Sequence, residues 1–308
     1  MTITRSDIGK QLEPGLNAIV GTEYNMVDNE HVKLFDTEKS NRSFEEEVMM
    51  SGLGQAPISA EGQALEYDDM QETFSARYNH IIVKLGFAIT KEAIDDNLYT
   101  SVGKVKAKAL GNAMAVTKQV LAANVFNRAF NSSFAGGDGV QLIANSHPTL
   151  SGNQSNLLTG DMSEAALEDT VIATGSIKDE RGILIGCTAE SVHIPVALQF
   201  VAEKILKSSL STSVSTFGTD GTTNVNDINA LKSMSTFRKG VHINHRFTDS
   251  DAWFIRTSIS NGTKMFQRTA LEKGMEGDFD TDVMRYKAYE RYAFGWTDWR
   301  NVLGSAGV

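Results

Sequence analysis

The chain has 308 residues, 41% of them hydrophobic and 22% charged, enough apolar material for one or two cored domains. Its formal net charge of −9 speaks against a dedicated nucleic-acid binder, and its one cysteine, Cys187, cannot form an internal disulfide. No run of about 18 apolar residues could span a membrane, and the opening residues, Met1 to Asp7, lack the charged-then-apolar pattern of a signal peptide.

In chain order, residues 1–40 are mixed and weakly periodic, with a turn expected at Pro14-Gly15, and read as an arm without a core of its own. The window Ser43 to Ala76 carries Glu45, Glu46, Glu47, Glu61, Glu66, Asp68, Asp69 and Glu72, and neither Lys nor Arg. Its centre, Ser51 to Gly62, is rich in turn formers and its flanks read as extended, with Met70, Glu72, Phe74, Ala76 and Tyr78 on one side of a strand. Such a hairpin cannot bury itself. It is either a solvated acidic loop or a segment that lies on another surface.

Residues 81–89 alternate as a strand, with Val83, Leu85, Phe87 and Ile89 on one face. Thr90 would then cap a short helix ending near Leu98. A long helix is expected over Thr100–Phe130, capped by Thr100 or Ser101. Its apolar stripe would be Val102, Val105, Ala109, Ala113, Val116, Val120 and Ala123. It bears Lys104, Lys106, Lys108, Lys118 and Arg128 and no acid, the electrostatic opposite of the preceding window.

Residues 131–161 are loop-rich, and Asp161-Met-Ser-Glu164 is a capping-box pattern opening a helix to about Thr174. Ile183–Ile194 reads as an apolar strand. Pro195 suits the first turn of a helix lined by Leu198, Val201 and Ile205. A Ser/Thr/Gly loop from Leu210 to Asn226 precedes a short helix at Asp227–Met234 and strands near 240–247 and 252–259. Residues 283–296 alternate: Met284, Tyr286, Ala288, Tyr292, Phe294 and Trp296 face inward, while Arg285, Lys287, Tyr289 and Arg291 face out. The tail ends in small residues suited to close backbone packing.

Motifs for chemistry do not assemble. Phosphate-cradling glycine loops and a GxSxG elbow are absent. Cys187, within an apolar strand, reads as a packed thiol. His242 and His245, three apart on a strand, would point to opposite faces and so not share a metal. Asp278-Phe-Asp-Thr-Asp282 lacks the glycine and glutamate of a calcium loop and reads as an acidic turn. His147, in Asn145-Ser-His-Pro148, would make a local turn hydrogen bond. No catalytic, metal or cofactor-binding set is expected.

Three stretches carry a resemblance: Phe74 to Asn97, beginning Phe-Ser-Ala-Arg-Tyr-Asn-His-Ile-Ile-Val-Lys; Asn145-Ser-His-Pro-Thr-Leu-Ser-Gly-Asn153; and Arg285 to Gly307, with its Arg-Tyr-Ala-Phe-Gly-Trp-Thr-Asp-Trp-Arg ending. With the order of elements, and weaker support from His193-Ile-Pro-Val-Ala-Leu198 and Ala252-Trp-Phe-Ile255, the chain over residues 40–308 resembles the major capsid proteins of tailed bacteriophages. The resemblance implies an α+β fold of the Hong Kong 97 type. Residues 1–40 would be the N-terminal arm and 41–77 an extended hairpin loop lying over a neighbouring subunit. Residues 78–135 and 265–300 would form the peripheral domain with a spine helix, and 136–264 and 301–308 the axial domain.

The resemblance further implies a shell subunit, not an enzyme, forming pentamers and hexamers around double-stranded DNA. It would sit in the virion capsid after assembly in the host cytoplasm, with a separate scaffolding protein, a portal and a decoration protein as partners, weak non-specific contact with DNA, and no membrane. Some members of the family weld their shells through a lysine in the extended loop. None lies between Lys39 and Lys84 here, so no such cross-link is expected. The charge split suggests contacts between subunits, with Glu66, Asp68, Asp69 and Glu72 against Lys104, Lys106 and Lys108. Arg285, Lys287 and Arg291 are further candidates, for a neighbour or for DNA. Alternative readings are an encapsulin-like compartment and an α/β hydrolase or binding protein.

Overall fold

The computed structural model describes residues 5–90, 92–93, 102–210, 228–278 and 283–307. The caps expected at Thr100 or Ser101, most of the short helix after Thr90, the loop before Asn226 and most of the acidic turn at 278–282 lie outside them.

Two sheets and one projecting hairpin organise the chain. The hairpin pairs β2 (Phe44–Met50) with β3 (Glu72–Asn79), antiparallel from Phe44↔Asn79 to Met50↔Glu72, and its tip, 51–71, has no regular structure. The first sheet has the order β1 (Asp36–Lys39), β9 (Thr263–Gly277), β10 (Val283–Trp296), β4 (Ile81–Thr90), with β1 parallel to β9 and the rest antiparallel. The second sheet has the order β5 (Leu157–Leu158), β11 (Val302–Ser305), β8 (Trp253–Thr257), β6 (Ala189–Pro195), β7 (Gly240–Asn244).

Helix α1 (Arg5–Met26) and helix α3 (Lys104–Asn127) pack on the inner face of the first sheet; α2 (His31–Leu34) is a single turn between α1 and β1. Helices α4 (Glu164–Gly175), α5 (Gln199–Lys207) and α6 (Ala230–Ser233) cover the second sheet, whose core gathers Leu167, Val192, Ile194, Trp253 and Ile255. A further core of Phe35, Phe126, Leu142, Ile143, Phe254 and Tyr292 joins the two sheets at the C-terminal end of α3.

Several expectations are corrected. Residues 5–26 are not a coreless arm: α1 runs through Pro14-Gly15 and buries Leu16 and Val20 against Ala107, Leu110 and Met114 of α3. Pro14 removes one backbone bond, and docking of the turn that follows supports the helix. Helix α3 forms as expected but buries a different face. Ala107, Leu110, Met114, Lys118, Ala122 and Phe126 turn inward, while Val102, Val105 and Val120 stay exposed. The N-cap of α4 is Ser163, whose Oγ accepts from Ala166 N–H at 3.2 Å, two residues after the expected Asp161. In α5, Val201 is exposed and Ala202 takes the inward position beside Ile205. Cys187 is buried just before β6, and burial pushes its thiol pKa up.

Candidate assembly surfaces

The hairpin projects apolar side chains that the subunit does not cover. Leu53, Ile58, Leu65 and Tyr67 stand on its tip, Ile58 fully exposed and Tyr67 88% exposed. Its base, by contrast, is seated. Ala76 and Tyr78 pack on Phe266 and Ala293, and the Tyr78 hydroxyl lies 2.6 Å from Thr297 Oγ1. Glu47 accepts from Lys264 Nζ and Thr297 Oγ1, and Ser40 Oγ donates to Glu45.

Two of the eight acids therefore hold the base. At the tip, Asp68 meets Arg181 of the loop before β6, and its Oδ2 also accepts from Gly54 N–H at 2.7 Å. That N–H and the Arg181 guanidinium hold the Asp68 carboxyl below the usual carboxylate range. The Asp69 carbonyl accepts from Arg181 as well. Glu66 and Glu72 are exposed and pair with no described residue.

The lysines expected to receive these acids stand at the N-terminal end of α3. Lys104 pairs with no described residue, Lys106 donates to the Ala88 carbonyl at 3.1 Å, and Lys108 pairs with Glu23 of α1 at 3.0 Å. Within one chain the acids and these lysines are not brought together. Beside the lysines, Val102 and Val105 extend an exposed apolar strip along α3.

The outer face of the first sheet brings Arg285, Lys287 and Arg291 together. Across β4 they stand opposite Ala88, Gly86 and Ile82, with Lys84 opposite Tyr289. Across β9, Glu276 and Glu272 stand opposite Arg285 and Tyr289. Arg285 pairs with Asp278, while Lys287 rises between two glycines, Gly86 and Gly274, in a shallow trough. This face lies on the side of the sheet away from α3.

The inner face holds a network that sequence reading missed. Glu290 is fully buried; Lys118 Nζ lies 3.4 Å from its Oε1, which also accepts from the Tyr24 hydroxyl at 2.7 Å. Burial and the Glu290 charge push the Tyr24 phenol pKa up. Lys118 sits 5.6 Å and 5.2 Å from the ring centroids of Tyr24 and Tyr292. One buried acid thus joins α1, α3 and β10. Alternation does place Glu290 on the inward face, and that was the available signal.

The histidines serve the structure separately. His147 is no local turn residue. It is buried, stacked on Trp299 at 4.2 Å, with Nδ1 2.6 Å from Asp138 and Nε2 3.1 Å from Asn156. His242 faces His193 on the neighbouring strand at 5.1 Å, whereas His245 binds Glu30 at 2.7 Å.

The model of the family described as phage capsid protein matches residues 82–304. No curated protein matches the chain. Among solved structures, the chain is similar to a virus-like particle from Pyrococcus furiosus, at 9% identity and TM-score 0.54, covering 96% of this chain and 99% of that one. It is also similar to the SrpI encapsulin from Synechococcus elongatus, at 10% identity and TM-score 0.53, covering 91% and 88%. A third similarity is to Mycobacterium phage Patience, at 10% identity and TM-score 0.50, covering 98% and 88%.

Proposed function

The chain belongs to the phage capsid protein family and has the Hong Kong 97-type fold, and from that premise we propose that it is the major subunit of an icosahedral head, built as pentamers and hexamers around double-stranded DNA. The observation that carries this reading is the projecting hairpin, whose tip exposes Leu53, Ile58, Leu65 and Tyr67 to water in the single chain. Four large apolar side chains left bare on one tip point to a contact, and a neighbouring subunit would supply the cover.

In this reading residues 41–77 are the extended loop, 78–135 with 265–300 the peripheral domain, and 136–264 with 301–308 the axial domain. The role is structural, not catalytic. The subunit resides in the virion capsid after assembly in the host cytoplasm, helped by a separate scaffolding protein, with a portal and a decoration protein completing the head.

Glu66, Asp68, Asp69 and Glu72 of one subunit would meet Lys104, Lys106 and Lys108 of the next. Each exposed pair contributes only about 0–1 kcal/mol, so their array sets register more than strength. Reversing the three lysines should impair assembly, and reversing Asp68, Asp69 and Glu72 as well should restore part of it. Normal assembly of the lysine reversal at low salt would overturn the pairing. Arg285, Lys287 and Arg291 offer a second cationic contact for a neighbour, or a weak contact with packaged DNA.

Electron microscopy of the expressed protein, with and without the neighbouring viral genes, tests the whole. Shells or rings with fivefold and sixfold symmetry are expected, and a stable monomer or dimer under every assembly condition would overturn the reading. The likeness to an encapsulin supports one rival, a shell around protein cargo. Purified particles holding an enzyme and no DNA would favour it.

A further inference from the structure

We propose that in the unassembled subunit the hairpin tip is clasped to its own chain by Arg181, and that this clasp competes with a neighbouring subunit for Asp68. The competition rests on the shell reading above; the clasp itself does not.

One carboxylate gathers both limbs of the tip. Asp68 Oδ2 takes the Gly54 N–H from one limb and the Arg181 guanidinium from outside, while the second guanidinium nitrogen reaches the Asp69 carbonyl. A side chain at Gly54 would stand 3.1 Å from Asp68 and 3.2 Å from Arg181, so the approach suits glycine. A forked, charge-assisted grip of this kind fixes direction as well as distance.

The receiving loop is rigidly mounted. Asp179 Oδ1 accepts the N–H groups of Arg181 and Ile183, each at 2.8 Å. Glu180, next to Arg181, pairs with Arg300 at 2.7 Å with both side chains out of water, and Arg300 Nε donates to the Lys178 carbonyl. Arg181 therefore reaches out from a buried ion cluster and not from a loose surface turn. The tip it holds lacks strand pairing and leaves its apolar side chains exposed, so the clasp is a main restraint on it.

Asp68 is also one of the acids assigned to the lysines of a neighbour. The same oxygen cannot serve both at full strength. A partly exposed ion pair of this kind shifts an equilibrium by about fivefold, which suits a contact that must be exchanged during assembly. The closed tip would lower the fraction of subunits ready to join and so slow premature growth.

The test uses full-length subunit held unassembled, cut with chymotrypsin at Leu65 and Tyr67. R181A and D68N should each raise the cleavage rate about fivefold with unchanged melting, and D68R/R181D should regain part of the protection. D68N changes only an exposed tip residue, so it reports on the clasp even if R181A folds poorly. Light scattering then reads assembly: R181A, which frees the carboxylate, should shorten the lag, whereas D68N should not. Cleavage at the wild-type rate in both variants would overturn the clasp. Faster cleavage with an unshortened lag for R181A would overturn the competition. A wild-type chain that never forms shells overturns the shell reading and with it the competition, while the cleavage comparison still decides the clasp.

Discussion

Lys118 and Glu290 are side chains that water normally keeps, yet the pair lies between two helices and a sheet with Lys118 only 7% exposed and Glu290 not at all. Removing one partner leaves a buried charge uncompensated, a loss of about 3–5 kcal/mol. K118M should therefore lower stability by that order in a urea titration of the unassembled subunit. Replacing both partners with apolar groups should recover most of the loss, since the ion pair itself offsets little more than its own desolvation. Next to it, His31 Nδ1 faces the Gln119 amide nitrogen at 2.8 Å, and burial, aided by Lys118, pulls the imidazole down to about 4. Above the unfolded value of 6.5 both states are neutral there. As pH falls below 6.5 the unfolded chain takes up a proton that the folded chain refuses, so stability is lost progressively down to about 4, by roughly 3 kcal/mol. The buried His193 and half-buried His242, both lowered mainly by burial, act in the same direction. Denaturation midpoints between pH 7 and pH 4 should fall, and H31Q should flatten part of that slope.

At the scale of elements, the contact of α1 with α3 depends on one missing side chain. A Cβ at Gly111 would come within 2.7 Å of the Val20 carbonyl and 3.2 Å of Glu23 Cβ. Backbone cannot give way there as a flexible side chain would. G111V should destabilise the subunit by about 1–3 kcal/mol and expose α1 to limited proteolysis, whereas the same change at the exposed Ala109 should leave cleavage unaltered. This contact also explains what sequence could and could not say. The strands β4 and β10 and the length of α3 were legible, because strict alternation and a long run free of Pro leave few alternatives. The buried face of α3 was not. The helix carries two apolar stripes, and the one rich in valine outweighs the Ala, Leu and Met stripe that is used, which Lys118 and Gln119 interrupt. Helix α1 was hidden by Pro14-Gly15, a local turn signal that tertiary packing overrides. Strand β9 was hidden by its lack of alternation and by Gly274 and Gly277.

For the whole molecule, the charge separation is intact in three dimensions but divided. Part of the acid-only window Ser43–Ala76, namely Glu45, Glu47 and Asp68, is engaged within the subunit, and Glu66 and Glu72 remain outward. Which of these acids and lysines stay outward was not legible in the sequence, because intrachain partners such as Arg181 and Glu23 lie far away along the chain. The hairpin has no amine between Lys39 and Lys84, so its tip cannot supply the nucleophile for an amide weld to a neighbour. Mature shells boiled in detergent should run as a discrete subunit band; a covalent ladder would contradict this.

Strand β11 lies inside the second sheet, hydrogen-bonded to β8 on one side and β5 on the other, although it comes from residues 302–305. The sheet therefore has a vacant slot until residues 302–305 have been synthesised. A nascent or prematurely terminated chain short of residue 302 leaves Phe254 and Ile143 without their covering strand. Closure of the second sheet thus waits on residues 302–305, after its other four strands have been synthesised.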